Sequence, residues 1–368
     1  MTNKELLSQT ISWLRFPLMV GVVLIHNNMT TINIQGQEID YSGITWYADT
    51  IYLFREVISR ISVPLFFFIS GFLFFYNTEF NIGKYREKLK KRIHTLLIPY
   101  IVWNFVGFLI LLIKVHPLMA KTFPSLADYH IGIDTFFASF WSISLSADET
   151  IRGTYFPINS PLWFIRDLII AAVLSPIIYQ AIKKYGSITL SIAGILWMTN
   201  GFGYLEEPQT NCLNTLFFFP LGAYFSIHHI DFIAVIRKIK PILIAYPILA
   251  IIDMAYRNDS AFHLYAHNLC ILTGIAVAIS IAAWLIESGK TRPDRFLTNG
   301  SFFIYVLHIL FIQYITKAII MALHPQSPYL LIAVFFAVPV ITIAICLMIY
   351  HVMSRTMPTI TKIISGGR

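Results

Sequence analysis

The sequence predicts an all-α polytopic membrane protein: about ten transmembrane helices, both termini cytoplasmic, and two amphipathic helices at the outer interface. Three observations carry that expectation: a composition too apolar for water, apolar runs of bilayer length, and positive charge gathered on one side. Of 368 residues, 57% are hydrophobic and 12% charged, against about 25% charged in soluble domains. Mean hydropathy is +0.67, so the chain needs a solvent in which apolar surface need not be hidden. A single domain over 1–368, with no separate soluble domain, is the economical organisation. Cys212, Cys270 and Cys346 fall inside apolar runs without paired spacing. That excludes a disulfide framework or a zinc site built on them, and no metal is expected.

Ten runs approach the length needed to cross a core of about 30 Å at about 1.5 Å per residue. They lie near 12–32, 61–78, 93–114, 160–182, 187–202, 211–229, 240–257, 263–286, 301–322 and 328–353. The polar start, Met1 to Thr10, has no small-residue cleavage site behind it, so the first run reads as a retained span. With that start inside, eighteen Lys and Arg outside the spans fall on the inner side, six of them in 84–92, and five (Arg55, Arg60, Lys121, Arg152, Arg257) on the outer side. This is the positive-inside pattern, and it accounts for the net charge of +8 without nucleic acid. Residues 44–60 and 131–143 mix aromatic with charged or small residues. They read as the two interfacial helices, either anchoring the fold or covering an outward cavity.

Ionisable groups inside a bilayer are costly and mark sites by default. Arg15 and His26 are eleven residues apart, three helical turns with a shift of about 20°, so they share one face of the first span. His26 falls about 9 Å below the outer boundary, as does Arg166 in a fourth span that runs inward. His26, Arg166 and Asp167 are therefore expected to line one outer pocket, unless Arg166 and Asp167 form a structural pair. His308 counts about 10 Å in from Ser301, on the opposite half from His26, which suits a helix-packing hydrogen bond more than a catalyst. Lys114, Asp253 and Lys317 complete the set. The segment 85–94 reads as a basic loop whose Lys88, Lys90, Lys91 and Arg92 either signal topology and attract anionic lipid or clamp a phosphorylated cytosolic substrate.

Five segments then occur in order: LRFPLMVGVVLIHN in the first span, VPLFFFISGFLFF at 63–75, LLIPYIVW at 96–103, SPLWFIRDLII at 160–170 and SFFIYVLH at 301–308. Together with about ten spans they resemble acyltransferase family 3, bacterial inner-membrane O-acyltransferases that modify surface polysaccharides and lipid-linked glycans. The resemblance covers nearly the whole chain. It implies acyl-CoA, usually acetyl-CoA, as donor, a glycan or lipid-linked sugar as acceptor, His26 as catalytic residue and Arg15 as its motif partner. Many members carry Arg-x-x-Arg before the third span, where this chain has Lys88-x-x-Lys91 and then Arg92.

On that basis His26 is the expected general base, assisted by Arg15, with Arg166 at the oxyanion and Asp167 beside it. Arg15, Lys88, Lys91, Arg92 and His308 are the expected donor-binding residues. Direct transfer and an acyl-His relay both fit. Trp46, Trp141 and Trp163 are candidates for stacking on sugar rings. The rival reading is a secondary transporter, which would also show sparse intramembrane charge and Pro-interrupted helices, yet no paired broken segments occur in two halves.

Overall fold

The computed structural model describes every residue except 35–36, 120–121, 123–125, 127–128, 130, 144–155, 203–210, 240 and 368. Lys121, Arg152, Lys240 and Arg368, counted in the charge asymmetry, lie outside the described residues. The chain folds into packed helices. α1 (Asn3–Ile25) starts from a capping box in which the Thr2 hydroxyl accepts from the Glu5 amide while the Glu5 carboxylate accepts from the Thr2 amide. That pair satisfies two of the four free amides at the helix start. A hairpin follows, β1 (Thr31–Ile34) against β2 (Gln37–Asp40), antiparallel with Thr31 opposite Asp40. It is the one departure from an all-helical chain among the described residues.

α2 (Thr45–Phe75) is a single run of 31 residues, so residues 44–60 are not the separate interfacial helix expected from the sequence. Tyr47, Ile51 and Val57 are buried, and the Tyr47 hydroxyl donates to the Met29 carbonyl at 3.0 Å. A face packed on protein keeps the segment helical and continuous with the span after it, through a π turn at Leu53–Ile58 and a 3-10 turn at Ser59–Ile61. The basic stretch is likewise helix and not loop. α3 (Ile82–Val115) is capped by the Asn81 side chain, which accepts from the Lys84 amide, and includes a π turn at Ile93–Leu97 just after Arg92. In the other expected interfacial segment, helix covers only α4 (Ile133–Ala138).

α5 (Trp163–Val173) meets α6 (Ser175–Met198) at a bend of 66°, and α7 (Asn211–Ile227) meets α8 (Phe232–Lys238) at 103°. α6 is itself broken at Tyr185, where φ and ψ leave the helical region. α9 (Ile242–Ala255), α10 (Ser260–Glu287), α11 (Arg295–Leu323), α12 (Pro328–Thr356) and the short α13 (Pro358–Ile364) complete the order. Six helices among the described residues are long and apolar enough to cross a membrane, or up to eight if each bent pair is one span, with α9 as a shorter apolar helix. The protein is thus a multi-pass helical membrane protein, with six to eight full-length spans among the described residues where the sequence shows ten apolar runs. Windows of hydropathy do not register where a helix bends.

α1 lies against α2, α10, α11 and α12. α2 and α7 approach so closely that a Cβ on Gly71 would fall 2.0 Å from the Phe219 carbonyl oxygen, and one on Gly222 2.0 Å from that of Phe68. Backbone contact of this kind between small residues is how helices associate where no water drives them together.

Candidate active site

α1 places Arg15, Met19, Val22 and His26 on one stripe, and that stripe forms a wall of an elongated cavity of about 1120 Å³ including its mouth. The predicted common face is therefore observed. The remaining walls come from Phe66, Ser70 and Leu73 of α2, Arg92 and Leu96 of α3, Trp163, Phe164 and Leu168 of α5, and Thr298, Ser301 and Tyr305 of α11. Eleven residues of helix make the lining about 16 Å long from Arg15 to His26. Among the described residues, its charged lining groups are two cations, Arg15 and Arg92.

A second cavity, about 650 Å³ including its mouth, opens on the other side of His26. Asn28, Thr31, Ile32 and Asn33 of the turn and hairpin line it, with Ile312, Gln313, Thr316 and Lys317 of α11. His26 alone lines both cavities. The imidazole stands at the position where α1 stops being helical, and its surroundings hold that end firmly. The Arg55 guanidinium donates to the Ile25 carbonyl at 2.9 Å, placing a cation on the carbonyl end of the helix. The Asn27 amide donates to the Phe335 carbonyl at 2.8 Å, tying the same end to α12.

His308 requires a correction. Its ring lies 5.1 Å from that of His26, centroid to centroid, with the planes inclined at 50°. α11 begins at Arg295, six residues before the boundary assumed from hydropathy, so the count from Ser301 set His308 too shallow. It is fully buried, and its Nδ1 is 3.0 Å from the Ile304 carbonyl oxygen. A carbonyl can only accept, so the proton sits on Nδ1 and Nε2 carries a lone pair. That Nε2 has no hydrogen-bond partner among the described residues.

Arg166 and Asp167 also leave the place expected of them. Neither lines a cavity with His26. Arg166 Nε donates to Asp167 at 3.1 Å, its Nη1 donates to the Trp141 carbonyl at 2.9 Å and the guanidinium covers the Trp141 ring; the other Asp167 oxygen accepts from Thr215. Trp163, Phe164 and Leu168 form the wall that α5 gives the cavity. Arg166 projects from another side of the helix onto Trp141, and Asp167, though on the walled side, is taken up by Arg166 and Thr215 and lines neither cavity. Of the basic segment, only Arg92 reaches the cavity. Lys88 donates to the Phe74 carbonyl at 2.5 Å, and Lys91 is exposed. Of the tryptophans, Trp163 lines the first cavity, Trp141 covers Arg166, and Trp46 stands 5.2 Å from the Tyr329 ring. Sequence reasoning did not single out Arg55, Asn27 or Gln313. Their signal was only adjacency: Asn27 follows the histidine, and Gln313 stands four residues before the intramembrane Lys317.

The fold and the site define a class: a multi-pass membrane protein in which one histidine on a helix end separates a cation-lined cavity from a polar one. The chain belongs to acyltransferase family 3, whose model, described as an acyltransferase domain, matches residues 9–351. It is an acyltransferase, and that membership sets aside the transporter reading. It is 25% identical over 375 residues to the succinoglycan biosynthesis protein ExoH of Rhizobium meliloti (strain 1021), covering 98% of this chain and 92% of that one. No solved structure matches the chain.

Proposed function

We propose that the protein is an O-acetyltransferase of the bacterial inner membrane that moves an acetyl group from cytosolic acetyl-CoA to a sugar hydroxyl of a cell-surface or lipid-linked glycan. The observation that carries this reading is the position of His26 as the wall shared by two chemically unlike cavities. Two substrates that enter from opposite sides can meet only at such a wall, and holding both reacting groups there supplies much of the rate. The cavity with Arg15 and Arg92 suits the phosphates of the donor, whose pantetheine arm is long and thin enough for a slot of about 16 Å. The cavity with Asn33, Gln313, Thr316 and Lys317 offers the amide and hydroxyl groups that sugar hydroxyls need. The name of the relative, in succinoglycan biosynthesis, supports a polysaccharide acceptor. The basic inner segments support an orientation with the start of α1 in the cytoplasm.

In the reaction, His26 takes the proton of the acceptor hydroxyl as its oxygen attacks the thioester carbonyl. The tetrahedral intermediate collapses, the carbon–sulfur bond breaks, and the same proton passes from His26 to the departing thiolate. Transfer is direct, since one imidazole faces both cavities and no relay is needed. The lone pair on His308 Nε2 can accept from a His26 N–H and hold that ring so that its other nitrogen meets the acceptor. Membranes carrying the protein, supplied with radiolabelled acetyl-CoA, are expected to incorporate label into glycan. Membranes carrying His26→Ala, at equal protein level, are expected to lose it. Equal incorporation by both would remove His26 from the chemistry.

A further inference from the structure

A separate cluster of side chains lies away from both cavities, between α2, α9 and α10. Asp253 on α9 is completely buried. His263 and His267, one turn apart on α10, take one carboxylate oxygen each: His263 Nε2 lies 2.8 Å from Oδ1 and His267 Nδ1 3.0 Å from Oδ2. The Tyr52 hydroxyl of α2 closes the group, 2.7 Å from His263 Nε2 and 3.3 Å from Asp253 Oδ1. Ligand atoms of the Asp and the two His all fall within 4.8 Å of one another.

Two physical arguments point past a simple hydrogen-bonded triad. A fully buried carboxylate needs a compensating positive charge, and the ion pairs of the described residues give Asp253 two histidines and no Lys or Arg. Nearby Arg257 is spent on Asp49 at 2.6 Å and on the face of Tyr52, while Arg55 and Arg60 both hold Glu56. Second, His263 Nε2, Asp253 Oδ1 and the Tyr52 oxygen make three mutual close contacts, and the protons available to them, one on the Tyr52 hydroxyl and one on His263 Nε2 in one tautomer, fill only two. One divalent cation answers both demands. Zinc binds His nitrogen and Asp oxygen at about 2.0–2.2 Å, which places tetrahedral ligand atoms about 3.3 Å apart. The His–carboxylate separations of 2.8 and 3.0 Å would open by a few tenths of an ångström, and the widest ligand separation, within 4.8 Å, would close by up to about 1.5 Å through side-chain rotation. Two His at i and i+4 on one helix with a carboxylate from a neighbouring element is a recognised donor set for that ion.

We propose that Asp253, His263 and His267 form a binding site for one zinc-class divalent ion, with Tyr52 facing its fourth position. The ion ties α9 and α10 to α2, the helix that also supplies Arg55 to the end of α1. His263 and His267 are partly exposed, so the ion has a path of entry. The site is independent of the acyl-transfer reading.

The test uses the full chain in detergent, purified without a polyhistidine tag, stripped with chelator, loaded with zinc chloride and freed of excess by gel filtration. Metal counted by mass spectrometry is expected at about one zinc per chain, as for a site with three protein ligands. Zinc is also expected to raise the unfolding midpoint, because it binds the folded state alone. Asp253→Asn and His263→Gln should each bring the count below about a fifth of that. Asp253→Asn also alters a fully buried group that the fold depends on, so the decision rests on His263→Gln, whose gel-filtration profile reports its fold. Wild type holding no more zinc than folded His263→Gln overturns the site, as does zinc that fails to move the wild-type midpoint.

Discussion

The two histidine pairs of this molecule are built on opposite plans. His26 and His308 lie 5.1 Å apart, and the two cavities that His26 lines present cations and neutral polar groups with no carboxylate among the described lining residues. His263 and His267 lie 5.4 Å apart and share a buried carboxylate. A carboxylate beside an imidazole holds it in one tautomer and favours its protonated form or a bound metal. On the proposed reading, the first pair moves a proton between two substrates and the second holds an ion still.

The largest effect that would break this contrast is on turnover. His26→Ala is expected to lower acetyl transfer by about 10²–10⁴-fold, the usual cost of a lost acid or base. Its zinc content should stay at the wild-type level. A variant that lost zinc as well would show that the two pairs are one coupled unit. Next in size is donor affinity. Arg15→Ala and Arg92→Ala are each expected to raise KM for acetyl-CoA on the order of tenfold at low salt, with a smaller ratio at high salt. Lys91→Ala removes the same charge from an exposed position outside the cavity and is expected to change KM less than about twofold. Equal effects from all three would mean a diffuse basic surface and not a clamp.

His308 sharpens the comparison further. If it orients His26, His308→Ala should lower kcat on the order of tenfold while KM for acetyl-CoA stays near wild type, since a lost buried hydrogen bond is worth about 1–2 kcal/mol. A rise in KM with kcat intact would return His308 to the donor site where the sequence had placed it.

What the sequence made legible follows from what periodicity can carry. The stripe from Arg15 to His26 is local to one helix, and helical arithmetic suffices for it. The depth comparisons between helices failed in proportion to their boundary errors. Starting α11 at Ser301 instead of Arg295 moved His308 by about 9 Å at the helical rise, enough to separate two rings that touch. Arg166 failed for another reason: depth says nothing about which way a side chain points around its helix. Residues 44–60 look amphipathic because their buried face meets protein, which composition alone cannot distinguish from a face that meets lipid. The cluster around Asp253 is readable in part, as two His four apart after a span-end Asp. Tyr52, some two hundred residues earlier, had no local signal at all.

A smaller effect separates structure from chemistry at Arg166. With Arg166 and Asp167 paired and absent from the lining of both His26 cavities, Asp167→Asn should act through stability, lowering the unfolding midpoint and the folded yield. Removing one partner of a buried pair costs about 3–5 kcal/mol, discounted here because the Arg166 side chain keeps some exposure. The kcat of the folded fraction should stay within about threefold, since no transition-state contact is lost. A fall on the scale expected of His26→Ala would bring Arg166 and Asp167 back to the oxyanion.

The last prediction concerns side of access, where the signal is small but the geometry is exposed. Thr31 lines the cavity beyond His26 and Met19 lines the one before it, so cysteines at the two positions should report opposite faces of the membrane. The background must first lose its own thiols, above all the exposed Cys212, by Cys212→Ser with Cys270→Ala and Cys346→Ala. In whole cells an impermeant maleimide is expected to label Thr31→Cys and leave Met19→Cys untouched. In inverted vesicles the order should reverse, and acetyl-CoA should protect Met19→Cys because the pantetheine arm runs along the same α1 stripe. Acetyl-CoA should leave Thr31→Cys unprotected, for His26 closes the wall between them. Labelling of both positions from one side would mean that the cavities join past His26, and the argument for two substrates meeting at one imidazole would lose its geometry.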